Sequence, residues 1–123
     1  IFKKIESIPE CIKALASGDG PFIVKNTNIN DRAGKIMVDM TGGIDPDSGI
    51  FKYLKKAGIN TIISMHYSLE NIKAVKKNKL NTIICGHMAC DSIGMNIYSD
   101  ILEKNGIGII PGSGFYRHSR TSS

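Results

Sequence analysis

The sequence predicts a single three-layer αβα domain with a mainly parallel β-sheet, and two observations lead to this prediction. Short apolar runs with the composition of buried strands alternate with amphipathic segments of helical length. The runs are rich in Ile and Val, which is typical of strands that are covered by helices on both faces. Strands that alternate with helices are joined by right-handed crossovers, which make neighbouring strands parallel. A chain of 123 residues has no room for a second independent core, so we expect one α/β domain over residues 1–123.

The first part of the chain predicts one helix, one strand and one loop. Ser7 has the position of an N-cap and Glu10 that of its capping-box partner, so a helix is expected to begin there. Its apolar side would consist of Ile8, Ile12 and Leu15. Residues 22–24 form a short apolar run that predicts a strand, and the polar residues 26–32 predict a loop.

From residue 35 onward the pattern becomes regular. Strands are expected at 36–38, 59–65, 80–85 and 107–110. Ser48 and Ser68 are predicted to cap the first two of the three helices between these strands. The third is longer, and its apolar side would consist of Ile93, Ile97 and Ile101. The polar residues 117–123 are expected to be a disordered tail.

Composition and charge exclude several functional classes. The net charge of +5 comes mostly from lysines on predicted helices, and such lysines usually form a solvated face. Nucleic-acid binding is therefore not indicated. No apolar stretch approaches the roughly 18 residues needed to span a bilayer. The three cysteines are odd in number and lack CxxC spacing, so a disulfide framework is not expected, and a reducing cytoplasm is the simpler location.

A repeated phrase is the clearest indication of a functional site. Asn-Thr-Ile-Ile occurs at 60–63 and again at 81–84, and each copy is followed by a histidine, His66 or His87. The carboxyl ends of neighbouring parallel strands meet at one edge of the sheet, where ligands of open α/β folds bind. Two imidazoles at this edge indicate a metal site or a proton-transfer site.

The two histidines differ in their sequence neighbours. Asp91 follows His87 by four residues, so a helix that begins near His87 would place both side chains on one face. Such a pair can hold Zn, Mn or Fe, and the carboxylate favours the harder ions. If the helix begins later, Asp91 is simply its N-cap. His66 lies in a turn, where a histidine is either structural or a ligand, proton carrier or substrate contact.

Two acidic loops allow other interpretations. Residues 39–43 form a glycine-rich turn that could bind an anion, although they match neither the P-loop nor the dinucleotide fingerprint. Asp39-Met40-Thr41-Gly42 is also similar to the Asp-Lys-Thr-Gly loop of aspartyl-phosphate enzymes, which gives phosphotransfer at Asp39 as a separate hypothesis. Asp45-Pro46-Asp47 could bind a cation, or it could be an ordinary turn.

Four stretches taken together resemble one protein family. They are residues 34–43, the turn at His66, residues 86–96 from Gly86-His87 to Asn96, and residues 109–115. In this order they are similar to the GTP cyclohydrolase 1 type 2 homologues, also known as the Ngg-interacting-factor-3-like proteins. The resemblance covers nearly the whole chain but only the C-terminal part of the family pattern. It therefore implies that the chain is the C-terminal portion of a longer protein.

The resemblance implies a pair of divalent metal ions and ring-shaped homo-oligomers. It assigns metal-ligand roles to His87 and Asp91, where Asp91 stands in place of the commoner Glu, and it makes His66 a proton carrier. The other family ligands, a His-His pair and an Asp, belong to an N-terminal half that has no counterpart here. The implied function is a metal-dependent hydrolase of a nucleotide or related ring compound. A non-catalytic metal-binding or interaction domain is the alternative.

Overall fold

The computed structural model describes residues 1–24 and 32–121, which form an α/β domain around a four-stranded sheet. The strands are β1 (Phe22–Val24), β2 (Lys35–Asp39), β3 (Ile59–Ser64) and β4 (Asn81–Ile84). The helices are α1 (Phe2–Glu6), α2 (Pro9–Ala16), α3 (Ile50–Lys56), α4 (Leu69–Lys77) and α5 (His87–Lys104). The sheet order is β1-β4-β3-β2, in which only β1 is antiparallel to its neighbour. The predicted αβα class with a mainly parallel sheet is confirmed.

The pairing of β3 with β4 does not align the two copies of the Asn-Thr-Ile-Ile repeat. Ile62 lies opposite Thr82, and Ile63 lies opposite Ile83, so the copies are offset by one residue. Because side chains alternate between the faces of a sheet, this offset turns equivalent positions to opposite faces. Ile62 packs in one core cluster, whereas Ile83, the equivalent residue of the second copy, packs in the other.

Each face of the sheet has its own apolar core. On one face, α3 and α4 contribute Phe51 and Val75, which are fully buried against Ile62 and Leu80. On the other face, α1, α2 and α5 contribute a second set of buried residues. Those are Ile5, Cys11, Ala14 and Ala89, which pack with Ile83 and Cys85 of the sheet region. No helix in the described residues is long and apolar enough to cross a membrane.

The helix predicted after Ser7 is present as α2, but its predicted cap is wrong. Ser7 ends α1, where its hydroxyl donates to the carbonyl of Lys4, and α2 begins at Pro9 without a side-chain cap. Proline fits this first position because it has no N–H to leave unpaired. Glu10 forms no capping box. It is fully buried and accepts hydrogen bonds from Arg120 and Asn96.

Helix α5 buries a different side from the one that its apolar residues predict. Ile97 and Ile101 are exposed, each by more than half. The buried residues are Ala89, Ser92, Asn96, Ser99 and Asp100. Polar side chains can be buried here because Asn96 and Asp100 hydrogen-bond to residues 116–120 and to Glu10. The strand predicted at 107–110 is also wrong, since this segment pairs with no strand of the described sheet.

Residues 117–121, part of the expected disordered tail, lie against α2 and α5. Arg117 donates to Asp100 over 2.6 Å and to Glu103 over 2.5 Å. Arg120 donates through both terminal nitrogens to the Glu10 carboxylate, each over 2.7 Å. Ser122 and Ser123 lie outside the described residues, as do all but the last residue of the predicted loop 26–32.

Acid should weaken the fold through Glu10. Burial raises the pKa of this carboxyl, but the hydrogen bonds from Arg120 and Asn96 lower it by more, so its net pKa lies below the usual value. The stabilisation is therefore present above the unfolded-state pKa and is lost as the pH falls through the folded-state pKa. In urea unfolding, we expect Glu10→Ala to lower the free energy of unfolding at pH 7 by about 2–3 kcal/mol. The loss is smaller than for a fully buried salt bridge, because Arg120 is partly exposed to solvent.

The pH dependence of unfolding distinguishes stabilisation by the charge of Glu10 from stabilisation by its packing alone. Between pH 7 and pH 3 the wild type should lose more stability than the Glu10→Ala variant, because the variant has no carboxylate to protonate. Equal losses in the two proteins would show that Glu10 does not contribute through its charge.

Candidate functional site

The structure brings His66 and His87 together at the carboxyl edge of the sheet. Their ring centroids are 5.2 Å apart and the ring planes differ by 11°, so the imidazoles are stacked. Both side chains are accessible, with exposed fractions of 35% for His66 and 48% for His87. A ligand at this edge could therefore contact both rings.

Backbone pairing beyond the strands fixes the position of His87. The amide of Cys85 donates to Ser64, and the amide of Gly86 donates to Met65, so β3 and β4 remain paired up to the start of α5. Gly86 has a φ of 89°, a conformation that residues with a Cβ rarely adopt. A Cβ here would also collide with the carbonyl oxygen of Asp19. Helix α5 then begins at His87 itself.

His87 and Asp91 lie within ion-pair distance of each other on the first turn of α5. Because the helix begins at His87, the alternative in which Asp91 is an N-cap is wrong. His87 Nε2 lies 3.3 Å from Asp91 Oδ2. An ion bonded at about 2.0–2.1 Å to nitrogen and about 2.0–2.2 Å to oxygen would fit this separation at a bond angle of about 105°. The separation alone is therefore compatible with two ligands of one tetrahedral ion, and it equally suits a direct ion pair between the two side chains.

The pair is not a complete metal site within the described residues. In residues 1–24 and 32–121, no three His, Cys, Asp or Glu side chains are arranged to hold a metal ion. Structural sites use four protein ligands and catalytic zinc sites commonly use three. His87 and Asp91 would thus supply part of a coordination shell.

His66 lies between two oxygen acceptors. Its Nε2 is 3.2 Å from the carbonyl oxygen of Gly42, and its Nδ1 is 3.4 Å from Asp45 Oδ1. A protonated ring can donate to both oxygens, whereas a neutral ring has only one N–H to donate. This position suits a group that releases and regains a proton during a reaction.

Asp45 is held in place by the start of α4. The amide of Ser68 donates to Asp45 Oδ2 over 2.7 Å. Asp45 Oδ1 is buried and has no hydrogen bond within the described part of the chain, and it faces His66. Hydrogen bonding from Ser68 holds the pKa of Asp45 below its usual range, against the effect of burial. Asp45 is therefore an anion beside His66 at neutral pH.

Gly42 leaves space next to His87 and Asp91. A Cβ at this position would lie 3.4 Å from His87 Nε2 and 3.3 Å from Met65 Sδ. It would crowd Met65 slightly and would fill the space beside the nitrogen that faces Asp91. At the next residue, Gly43, a Cβ would have no atom of the described residues within 4 Å and would lie in open space.

The hypothesis of phosphotransfer at Asp39 receives no support from the geometry. Asp39 Oδ2 accepts a hydrogen bond from the Tyr67 hydroxyl over 2.8 Å, and Oδ1 accepts one from the Thr41 amide over 3.2 Å. Both carboxylate oxygens are thus engaged with the chain itself. Asp39 orders the turn after β2, which leads to Gly42.

Sequence reasoning missed the contact between Asp45 and His66. The acidic loop was noted, but the residues are 21 positions apart and no periodicity relates them. The two aspartates of the loop have different roles, since Asp47 Oδ1 accepts the amide of Gly49 in a local turn. The turn interpretation is therefore correct for Asp47, whereas Asp45 belongs to the site.

Comparison with known proteins supports the fold. The domain is similar to a crystal structure of a NIF3 superfamily protein from Sphaerobacter thermophilus, with a TM-score of 0.72 and 23% sequence identity. The match covers 91% of this chain and 40% of that one, so the chain spans less than half the length of its structural neighbour. No protein-family model and no curated protein matches the sequence.

Replacing Gly86 should disturb the start of α5 and with it the placement of His87. We expect Gly86→Ala to lower the free energy of unfolding by about 1–3 kcal/mol, because of its positive φ and the collision with Asp19. The matched control is Gly94→Ala in the same helix, where the glycine is exposed and an added Cβ would meet no described atom within 4 Å.

The control should behave in the opposite way. Gly94→Ala is expected to stabilise α5 by about 0.5–1 kcal/mol, since alanine loses less backbone entropy in a helix. Thermal or urea unfolding of both variants measures the difference. A Gly86→Ala protein as stable as the wild type would contradict the assigned backbone geometry.

Proposed function

We propose that this domain provides part of a divalent-metal site in a metal-dependent hydrolase, with His87 and Asp91 as metal ligands and His66 as the proton carrier. The observation that carries the proposal is the 3.3 Å separation of His87 Nε2 and Asp91 Oδ2 beside the stacked ring of His66. The similarity in fold to a NIF3 superfamily protein supports it. The substrate class, a nucleotide or related ring compound, follows from the sequence resemblance alone.

The ligand types restrict the metal. One imidazole and one carboxylate suit Zn, Mn or Fe, and each of these ions needs further ligands. The sequence resemblance implies two ions in the complete site. Under this proposal, the missing ligands come from another part of a longer polypeptide or from another copy in a homo-oligomer.

The residues of this chain would have separate tasks in hydrolysis. His87 and Asp91 would hold a divalent ion, which when bound would supply a water of lowered pKa as the nucleophile. His66 is the assigned proton carrier; Asp45, 3.4 Å from Nδ1, and the Gly42 carbonyl, 3.2 Å from Nε2, orient its ring. A proton passes between the ring and the substrate when the substrate replaces one of these two acceptors. Asp91 lies one helical turn from His87 and would serve as the second ligand.

A non-catalytic role in metal binding or protein interaction is the second candidate. Apolar side chains around the site favour it, since Met40, Ile44 and Met88 are all exposed. Exposed apolar side chains near one site are typical of an interaction surface. Turnover measurements distinguish the two functions, because an interaction domain would bind metal without hydrolysing a nucleotide.

Removal of His87 tests the metal site. Zn²⁺ or Mn²⁺ binding, measured by isothermal titration calorimetry on the full protein, should weaken by at least about tenfold in His87→Ala, because one of two chain ligands is lost. His118→Ala is the matched control, since His118 lies on the segment that packs on α5 and contributes only its backbone to the contacts there. Equal affinities for His87→Ala and the wild type would refute the assignment.

His66 should affect turnover and leave metal binding intact. In His66→Ala, we expect hydrolysis to fall by about 10²–10⁴-fold with little change in metal content. The pH–rate profile should also lose one of its limbs. A parallel loss of metal would make His66 a ligand, and unchanged turnover would remove its catalytic role.

The space at Gly42 gives a milder test of the same geometry. Gly42→Ala should reduce metal affinity several-fold, because its methyl group would fill the space beside His87 Nε2. Gly43→Ala adds the same methyl group one residue later in open space, so its affinity should equal that of the wild type. If both variants bind alike, the space beside His87 is not part of the metal site.

A further inference from the structure

Helices α3 and α4 cover the same face of the sheet, and a cavity of about 380 Å³ opens between them. Two hydrogen bonds link the helices at their ends. At the amino-terminal ends, the Ser48 hydroxyl donates to Glu70 Oε1 over 3.0 Å. At the carboxyl-terminal ends, Lys55 Nζ donates to the carbonyl of Lys79 over 3.1 Å. The cavity is thus a short cleft between the two links, and not a continuous groove.

The lining of this cavity is positively charged. Lys52 of α3 and Lys73 and Lys77 of α4 line it, and no carboxylate of the described residues does. Gly49 and Ala74 line it as well, and their small size leaves the space open. In the part of the chain that the structure describes, none of the three lysines forms an ion pair. Their charge is therefore not balanced within the cavity.

The position of these lysines is unfavourable unless an anion lies between them. Lys73 and Lys77 are four residues apart on one helix, a spacing at which like charges repel, and Lys52 adds a third charge from α3. Lysines in the last turn of a helix, such as Lys56 and Lys76, are stabilised by the helix dipole. Lys52 and Lys73 lie outside the last turns, so the dipole does not account for them.

We propose that the cavity between α3 and α4 binds a small molecule with two linked phosphoryl groups, as in inorganic pyrophosphate. Lysine ammonium groups bind phosphate oxygens, and one phosphoryl group, with about −1.5 to −2 charges, would not balance three lysines. The volume lies within the range of about 300–1,000 Å³ for small-molecule sites. Glu70 at one end would repel a longer phosphate chain, which favours a short ligand over nucleic acid. The site lies on the face opposite α5 and does not depend on metal binding.

Calorimetric titration with inorganic pyrophosphate tests the proposal on the full protein, freed of metal on a chelating resin and kept at low ionic strength. We expect saturable binding at one site, weakened by about fivefold or more in Lys52→Ala and in Lys73→Ala, since each removes a charge that faces the ligand. Lys76→Ala is the matched control, because it removes the same charge from α4 outside the cavity, and its affinity should change by less than about twofold. Absence of saturable binding, or equal weakening in Lys76→Ala, would overturn the proposal.

Thermal unfolding and two further titrations separate this site from other sites for phosphate. Pyrophosphate should raise the Tm of the wild type and of Lys76→Ala, and should leave the Tm of Lys73→Ala nearly unchanged. His87→Ala should bind pyrophosphate as the wild type does, and a loss of binding in this variant would place the ligand at the metal site and overturn the proposal. A single-stranded oligonucleotide that binds more tightly than pyrophosphate, and is weakened by Lys73→Ala, would overturn it in favour of nucleic acid.

Discussion

Parallel pairing of β3 with β4 is the constraint on which the site depends. The two strands are staggered by one residue, so Ser64 lies opposite Ile84 at their ends. His66 lies two residues after the end of β3, and His87 lies three residues after the end of β4. This difference alone would not bring the two imidazoles level with each other. The amide of Gly86, bonded to Met65, and the positive φ of Gly86 turn the chain so that His87 opens α5 beside the ring of His66. A small register difference is thereby converted into a stacked pair of rings.

The position of α5 depends on a polar interface as well as on the apolar contacts of its first turns. The Asn96 amide makes four hydrogen bonds: its nitrogen donates to Glu10 and to the Tyr116 carbonyl, and its oxygen accepts from Arg117 and from the His118 amide. This uses the full bonding capacity of an amide side chain. Because each group is paired, the cost of burial is offset, and removal of one member would leave polar groups of its partners unpaired. The arrangement fixes the helix that carries His87 and Asp91, and it also fixes the chain after Tyr116.

Short sequence patterns predicted the features that depend on spacing along the chain. They failed where contacts with residues distant in sequence determine the structure. Alternation of strands and helices predicted the layers, and the four-residue spacing of His87 and Asp91 predicted one helical face, once the helix start was known. The buried side of α5 could not be predicted, because its partners come from Glu10 and from residues 116–120. The same holds for Asp45, whose contact with His66 requires the turn after β2 to fold back over the sheet edge. Ser7 was misplaced since its hydroxyl can serve either the end of one helix or the start of the next.

Under the proposed function, metal affinity is limited by the number of ligands and not by their type or spacing. His87 and Asp91 are about half exposed and already stand at a chelating separation, so no rearrangement of this chain is needed to bind an ion. The described part of the chain lacks further ligands, together with a surface that excludes water from them. Exposed apolar side chains near His87 also favour a covering surface. Met40 and Ile44 lie on either side of Gly42 in the sequence, and Met88 follows His87; all three are exposed. A chain segment or second copy that covered these side chains would bury apolar surface and close the coordination shell in one step, so that assembly and metal binding would stabilise each other.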